Sequence, residues 1–432
     1  MIFPQKNDFR KMNAENTRIP ADLSPNRWAR ILHEVRDAAR AAGTPIFDLT
    51  ISNPTAAGFR WPREVLAAAL SAGEIENYTP SPRGNAAARR AVADFYKKEH
   101  EADVDPARIF ITASTSESYS RLAKLLCAAG NNVLAPAPSY PLIEHLCRLE
   151  NVDPRAYFLK FDERAAHWTP DFAALERAID ARTRAIFCVS PNNPTGSVFS
   201  ADERAKLLAL ARERALTLVV DEVFAEYPRG NGGNCDCAGA PANAASFAGT
   251  RDAPVFVLGG LSKTAALPQI KIGWIVACGD AHFLEKTLPR LDFIADAFLS
   301  AAEPSQCAVP ALLAASGAMR KRICARLDAN ETLLKNWAQA SPHGVKILPR
   351  QAGWSAVLRL PRGVNEDALC IDLLRRESVV AHPGRFYDLD VVPAENFSAN
   401  SVPAPHLVIS LLTPPGILSA ALPRLDSALL RN

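Results

Sequence analysis

The chain has 432 residues, 49 of them basic and 46 acidic, for a net charge of only +3. That balance leaves no broad electrostatic footprint for nucleic acid, and nowhere do eighteen apolar residues run together, so neither membrane spanning nor secretion is expected. A cytoplasmic protein with room for one large and one small domain is the resulting expectation.

The opening Met1–Asp8 has no long apolar region, and the first predicted helix runs from Trp28 to Ala42. From about residue 60 to 280, short β-branched runs alternate with amphipathic stretches. Strands are predicted at Arg108–Thr112, Asn132–Ala135, Arg184–Val189, Leu216–Val220, Val255–Leu258 and Ile272–Val276. Because these runs lack polar alternation, they fit a mainly parallel sheet with helices on both faces. Ligands on such a sheet gather beyond the strand ends. Gln306 to Ala340 reads as helical with an interruption near Gly317, and it leads into Trp354–Leu360 and Leu407–Leu412, the strands of a smaller α+β domain. The predicted division is therefore 51–315 for the large domain and 316–432 for the small one, with 1–50 joining the latter. Asp390–Pro405 is proline-containing and reads as a loop.

Nine cysteines, mostly inside apolar runs, suit buried reduced thiols better than a disulfide framework. Cys235 and Cys237 lie in a Gly/Asn-rich loop, with too few neighbouring ligands for a tetrahedral metal site, so no metal is expected.

The chemistry concentrates in three places. Lys263 stands in Gly259-Gly260-Leu261-Ser262-Lys263-Thr264, Asp221-Glu222 follows an apolar strand, and Ser190-Pro191-Asn192-Asn193-Pro194-Thr195-Gly196 lies upstream. Alone, the lysine could be a surface residue, the Asn-Pro-Thr-Gly an ordinary turn, and Asp221 a strand-end acid capping the next helix. Together, in this order, they resemble the aspartate aminotransferase-like family, the fold type I enzymes that use pyridoxal 5'-phosphate (PLP). The resemblance runs from about Asp48 to Leu425. It implies an α/β fold whose large domain carries a mainly parallel seven-stranded sheet.

By that resemblance Lys263 holds the coenzyme aldehyde as an aldimine and then moves a proton, which requires an amine that can lose its charge. Asp221 pairs with the pyridine nitrogen and keeps the ring an electron sink. Asn193 donates to the ring phenolate oxygen without adding charge. Ser114-Thr115-Ser116 opens an apolar helical run, where the family cradles the phosphate; simple N-capping by the same hydroxyls is compatible with that role. Ser262 adds a hydroxyl and Lys271 a positive charge. Tyr140, in Ala137-Pro138-Ser139-Tyr140-Pro141, aligns with the aromatic that stacks on the ring, although it could simply pack at a strand end. Tyr78 and Gly84 resemble the segment that reaches the phosphate of a neighbouring subunit, which implies a homodimer.

Three positions depart from the family pattern. Phe224 replaces a tyrosine, removing a hydroxyl donor to the phenolate, and this predicts a raised aldimine pKa; nearby Tyr227 is expected to turn elsewhere. Lys271 replaces an arginine, keeping charge but losing the bidentate fork. Val408 stands where members acting on α-amino acids carry the arginine that grips the α-carboxylate. Arg385, at a Pro-Gly turn, is one candidate replacement and Arg359 another, while Ser52 falls in a segment that lines the substrate pocket. The function implied is a PLP-dependent aminotransferase acting between an amino donor and a keto acid. A β-lyase or decarboxylase on the same fold is the alternative, followed by a non-catalytic ligand-binding protein.

Overall fold

Residues 27–73, 75–229, 246–389 and 404–432 are described by the computed structural model. The strands before residue 280 are β1 (Phe47–Asp48), β2 (Ile109–Thr112), β3 (Asn132–Ala137), β4 (Asp153–Asp162), β5 (His167–Pro170), β6 (Thr183–Val189), β7 (Thr217–Asp221), β8 (Val255–Gly260) and β9 (Gly273–Cys278). All but β1 form one sheet in the order β2-β9-β8-β7-β6-β3-β4-β5. Its centre is parallel, from β4 through β3, β6 and β7 to β8, and β9 is antiparallel to both β8 and β2. Every residue of β7, β8 and β9 is buried, as continuous apolar runs require when helices cover both faces. The eighth strand, β5, is a correction to the seven expected. It folds back on the polar-alternating end of β4, Leu159 to Asp162, as an antiparallel edge hairpin whose short sequence carries little strand signal.

The second sheet, β10 (Lys346–Ile347), β11 (Ser355–Arg359), β13 (His382–Pro383) and β14 (His406–Ser410), has the order β10-β11-β14-β13 and is antiparallel. A separate pair joins β1 to β12 (Val379–Val380) in parallel. The apolar core around these strands also takes in Ile31, Leu32 and Leu49 from the N-terminal side. The helix Val309–Ala340 serves both regions, giving Val309, Leu312 and Leu313 to the large sheet's core and Met319, Ile323 and Leu327 to the smaller one.

That helix also corrects the sequence reading. It runs unbroken through Gly317, where an added Cβ would meet no atom closer than 3.9 Å, and the interruption lies instead at Ala308, between Glu303–Cys307 and Val309–Ala340. A single glycine costs a helix only about 1 kcal/mol, which packing on both cores outweighs. The predicted helix at Trp28–Ala42 is observed as Arg27–Ala42. Among the described residues seven cysteines are free, five of them buried, and no helix is long and apolar enough to cross a membrane. Cys235, Cys237 and nearly all of the predicted loop Asp390–Pro405 fall outside the described residues.

Candidate active site

Four adjacent strands, β8, β7, β6 and β3, deliver Lys263, Asp221, Asn193 and Tyr140 from the segments at their C-terminal ends. Asp221 closes β7, and its carbonyl accepts from the Ser190 amide at 3.0 Å, which starts the Asn-Pro-Thr-Gly loop beside it. The Asn192 side chain donates to the Pro138 carbonyl at 3.2 Å, so the loop carrying Asn193 is tied to the one carrying Tyr140.

The Asp221 carboxylate is buried and accepts from the Tyr119 hydroxyl and the Val223 amide, each at 3.1 Å. Burial raises its pKa to about 6, against the lowering effects of those two hydrogen bonds and of Lys263. Lys263, in the turn Leu261–Thr264, is shifted the other way. Desolvation lowers its amine to about 8, opposed by Asp221. The Lys263 Nζ lies 4.7 Å from the Trp354 ring centre and 5.6 Å from that of Phe224. Tyr227 is turned to the backbone, its hydroxyl donating to the Lys263 carbonyl at 2.5 Å.

Ser114 caps the helix Thr115–Leu126, accepting from the Glu117 amide at 3.1 Å. The first-turn amides of Thr115 and Ser116 have no intrahelical acceptor and are available to an anion. This helix start is pressed against β9. A Cβ on Gly273 would come within 2.8 Å of the Ser114 carbonyl carbon and 2.9 Å of the Thr115 amide nitrogen, so only glycine fits there. Ser262 adjoins Lys263, and Lys271 follows the short turn Pro268–Ile270 with its side chain exposed.

The two regions meet at Gly196. It has a φ of +67°, and a Cβ there would lie 2.4 Å from the Ala352 carbonyl oxygen. Its own carbonyl accepts from the Gln351 and Ala352 amides at 3.0 and 2.9 Å. This seam brings Trp354 to Lys263 and lets Ser355 donate to Asn193 Oδ1 at 3.2 Å. Trp354 also donates to the Ser52 hydroxyl at 3.3 Å. Tyr119, Trp354 and Ser355 were missed in sequence. Tyr119 had a weak signal, lying one helical turn after Thr115 and therefore on the same face, whereas Trp354 and Ser355 had none, because a long-range contact alone places them.

Val408 is buried in the middle of the small sheet, opposite Val357 on one side and His382 on the other. Arg385 pairs through Nε with Asp367, and its amide donates to Glu366 at 2.8 Å, so it is engaged with the neighbouring helix Glu366–Glu377. Arg359 pairs with Glu163 and lies over the Phe161 ring at 5.3 Å. Tyr78 is 75% exposed, while Gly84 is packed within its own chain against Gln306 and Ile111.

A two-region fold with a lysine and a buried acid at neighbouring strand ends defines a fold type I enzyme framework. The chain belongs to the class I and II aminotransferases: the model described as "Aminotransferase class I and II" matches residues 44–397, and that family is known to use PLP. Among solved structures, an alanine aminotransferase from Pyrococcus furiosus superposes with a TM-score of 0.79 at 21% identity, over 93% of this chain and 96% of that one. An aspartate aminotransferase from Thermotoga maritima gives 0.74 at 18%, over 94% and 98%. At these identities the likeness is one of fold. In sequence, nicotianamine aminotransferase 1 of Oryza sativa subsp. japonica is 30% identical over 224 residues, 52% of this chain and 43% of that protein. Glutamate-pyruvate aminotransferase AlaA of Haemophilus influenzae is 28% identical over 273 residues, 63% and 64% of the two chains. The matched stretch thus spans less than two thirds of either relative.

Proposed function

We propose that this protein is a PLP-dependent aminotransferase that moves an amino group between an amino acid or related amine and a keto acid. The observation that carries the reading is the opposed pair at the ends of β7 and β8: a lysine whose amine is brought down to about 8 and a buried carboxylate brought up to about 6. A buried acid with only two hydroxyl or amide donors fits a cationic ring nitrogen as its further partner. The glycine-backed helix start fits a phosphate, so the residues present suit the coenzyme.

When bound, PLP supplies an aldehyde that takes an amine covalently and a ring that withdraws electrons from the carbon bearing that amine. Lys263 Nζ anchors the coenzyme and carries the proton away from and back to the substrate. Its lowered pKa leaves a useful fraction of free amine near neutral pH. The Asp221 carboxylate would hold a proton at the ring nitrogen, and Tyr119 fixes that carboxylate. Asn193, itself oriented by Ser355, and Tyr140 set the ring's position. Ser114, Thr115, Ser116, Ser262 and Lys271 bind the phosphate, and Ser52 borders the substrate through Trp354. Arg385 would have to release Asp367 to reach a substrate, so the reading assigns it no role.

The same reading takes 51–315 as the coenzyme-binding domain and 1–50 with 316–432 as the smaller one. The protein works in the cytoplasm as a homodimer, with exposed Tyr78 reaching across to the second subunit. The test is the absorption spectrum of the PLP-loaded protein with single amino donors. Loss of the visible band without any acceptor, and its return on adding a keto acid, supports the proposal. An unchanged band with release of pyruvate, ammonia or carbon dioxide replaces it with a lyase or decarboxylase.

A further inference from the structure

The turn that carries Lys263 has little of its own to hold it in shape. Leu261–Thr264 is four residues long, and so short a helical piece closes too few hydrogen bonds to offset its nucleation. The amine itself sits at the end of a flexible four-carbon stem. Its position therefore has to be set by groups outside the turn.

Two of these come from adjacent residues. The Tyr227 hydroxyl donates to the Lys263 carbonyl at 2.5 Å, and the Thr264 hydroxyl donates to Glu226 Oε2 at 3.1 Å. The other carboxylate oxygen, Glu226 Oε1, lies 3.0 Å from Nε2 of His100, the last residue of the helix Ala86–His100. The His100 and Glu226 side chains are only 6% and 4% exposed, and Thr264 is buried as well. His100 is packed in turn against the rings of Phe95 and Tyr96, at 5.6 and 5.4 Å between centres.

The surrounding charges favour an ion pair here. Burial works against a proton on His100, but the hydrogen bond to Glu226 and the charges of Glu226, Glu222 and Glu99 outweigh it and raise its pKa. Glu222 is taken up by the Ser246 hydroxyl and the Phe247 amide at 2.5 and 2.7 Å, and Glu99 by Arg320 at 3.0 Å, whose charge also faces Glu226. Glu226 is the acid that bridges the imidazole to the lysine turn. Each of its oxygens has a partner, and losing one would leave buried charge uncompensated.

We propose that Glu226, held by His100, is a positioning residue for Lys263: through the Thr264 hydroxyl it fixes the turn from which the amine reaches the coenzyme and the substrate carbon. It acts through the backbone and takes no proton itself. The assignment rests on the aminotransferase reading and adds to it a brace of His100, Glu226 and Thr264 behind the lysine.

The experiment is a graded series, Thr264→Ser, Glu226→Gln and Thr264→Val, read in two ways. In the coenzyme-free protein, hydrogen exchange is followed at the amides of Ala265, Ala266 and Leu267, which donate to the Leu261 and Lys263 carbonyls and so report opening of the turn. In the PLP-loaded protein, the single-turnover rate and the half-saturating donor concentration are measured with one amino donor. Thr264→Ser keeps the hydroxyl and should match wild type in both. Thr264→Val, nearly the same in shape, should speed exchange at the three amides about tenfold, leaving the amides of β7 unchanged. It should also slow the single turnover about tenfold or more at an unchanged half-saturating concentration, because a small displacement of the amine weakens attack more than binding. Glu226→Gln keeps an acceptor without the charge and should fall between the two, and it carries the comparison if the valine variant does not fold. Wild-type exchange and rate in Thr264→Val, or losses that Thr264→Ser shares, overturn the brace. If no donor discharges the coenzyme of the wild-type protein, the aminotransferase reading fails, while the exchange measurement still decides whether Glu226 holds the turn.

Discussion

The two walls of the candidate site are built in different ways. On the large-domain wall, each group sits at a local feature of the chain: a strand end for Asp221, a helix cap for Ser114, a tight turn for Asn193 and Lys263. On the small-domain wall, the groups come from alternation along β11 and β14, where the apolar pair Val357–Val408 separates Ser355 from Arg359. The first wall is assembled from local motifs. The second depends on register, so a one-residue slip along β14 would exchange which side chains face the large sheet.

Variants on the first wall should therefore act on every donor alike, and those on the second should discriminate among donors. Lys263→Ala has the largest expected effect, a loss on the order of 10⁴-fold in single-turnover rate with any donor, since it removes the acid-base group. Discharge that survives within tenfold would break the comparison at its strongest point. Val408→Arg places an unpaired charge at a fully buried position, so thermal denaturation should show a destabilisation of about 3 kcal/mol or more in the unliganded protein. An unchanged melting curve would mean that this register opens into solvent or already faces an acid.

Asp221→Asn comes next, with roughly a hundredfold loss of turnover. It should also change stability in a direction fixed by linkage. The carboxyl's folded pKa of about 6 lies above its ordinary 3.8, so the native state binds more protons across that window. Its stabilising contribution is present below about 4 and lost as pH rises through 6. At pH 7 the coenzyme-free Asn variant should be more stable than wild type by about 3 kcal/mol at most. Lys263 behaves oppositely: its contribution is present above its ordinary 10.5 and lost as pH falls through about 8. Denaturant curves of the coenzyme-free protein at several pH values would test both signs.

Smaller effects sharpen the picture. Tyr119→Phe removes one hydrogen bond to Asp221, worth about 1 kcal/mol, and should raise the carboxyl's pKa further, read as an upward shift of the acid-side stability transition. Phe224→Tyr restores a hydroxyl near Lys263 and should lower the pH at which the loaded protein's visible spectrum titrates. Retention of the wild-type midpoint would show that the Trp354 edge contact, 5.0 Å between ring centres, keeps the new hydroxyl away from the coenzyme.

Much of this molecule was legible in the chain alone. Continuous β-branched runs determined the central strands, because burial on both faces demands them. The order of Asn193, Asp221 and Lys263 resembles that of the aspartate aminotransferase-like family, and it was this resemblance, carried by short local motifs, that implied one coenzyme. Tertiary structure alone decided the rest. Gly317 looked like a break, yet packing on two cores carries the helix Val309–Ala340 through it. The Gly196 seam, a contact between residues more than 150 positions apart, brought Trp354 and Ser355 to the site. Partner choice separated Arg385, engaged with Asp367 on the neighbouring helix, from Arg359, engaged with Glu163 of the β4–β5 hairpin. Local periodicity records which side of an element is apolar, but the atoms a side chain meets are chosen by segments distant in sequence.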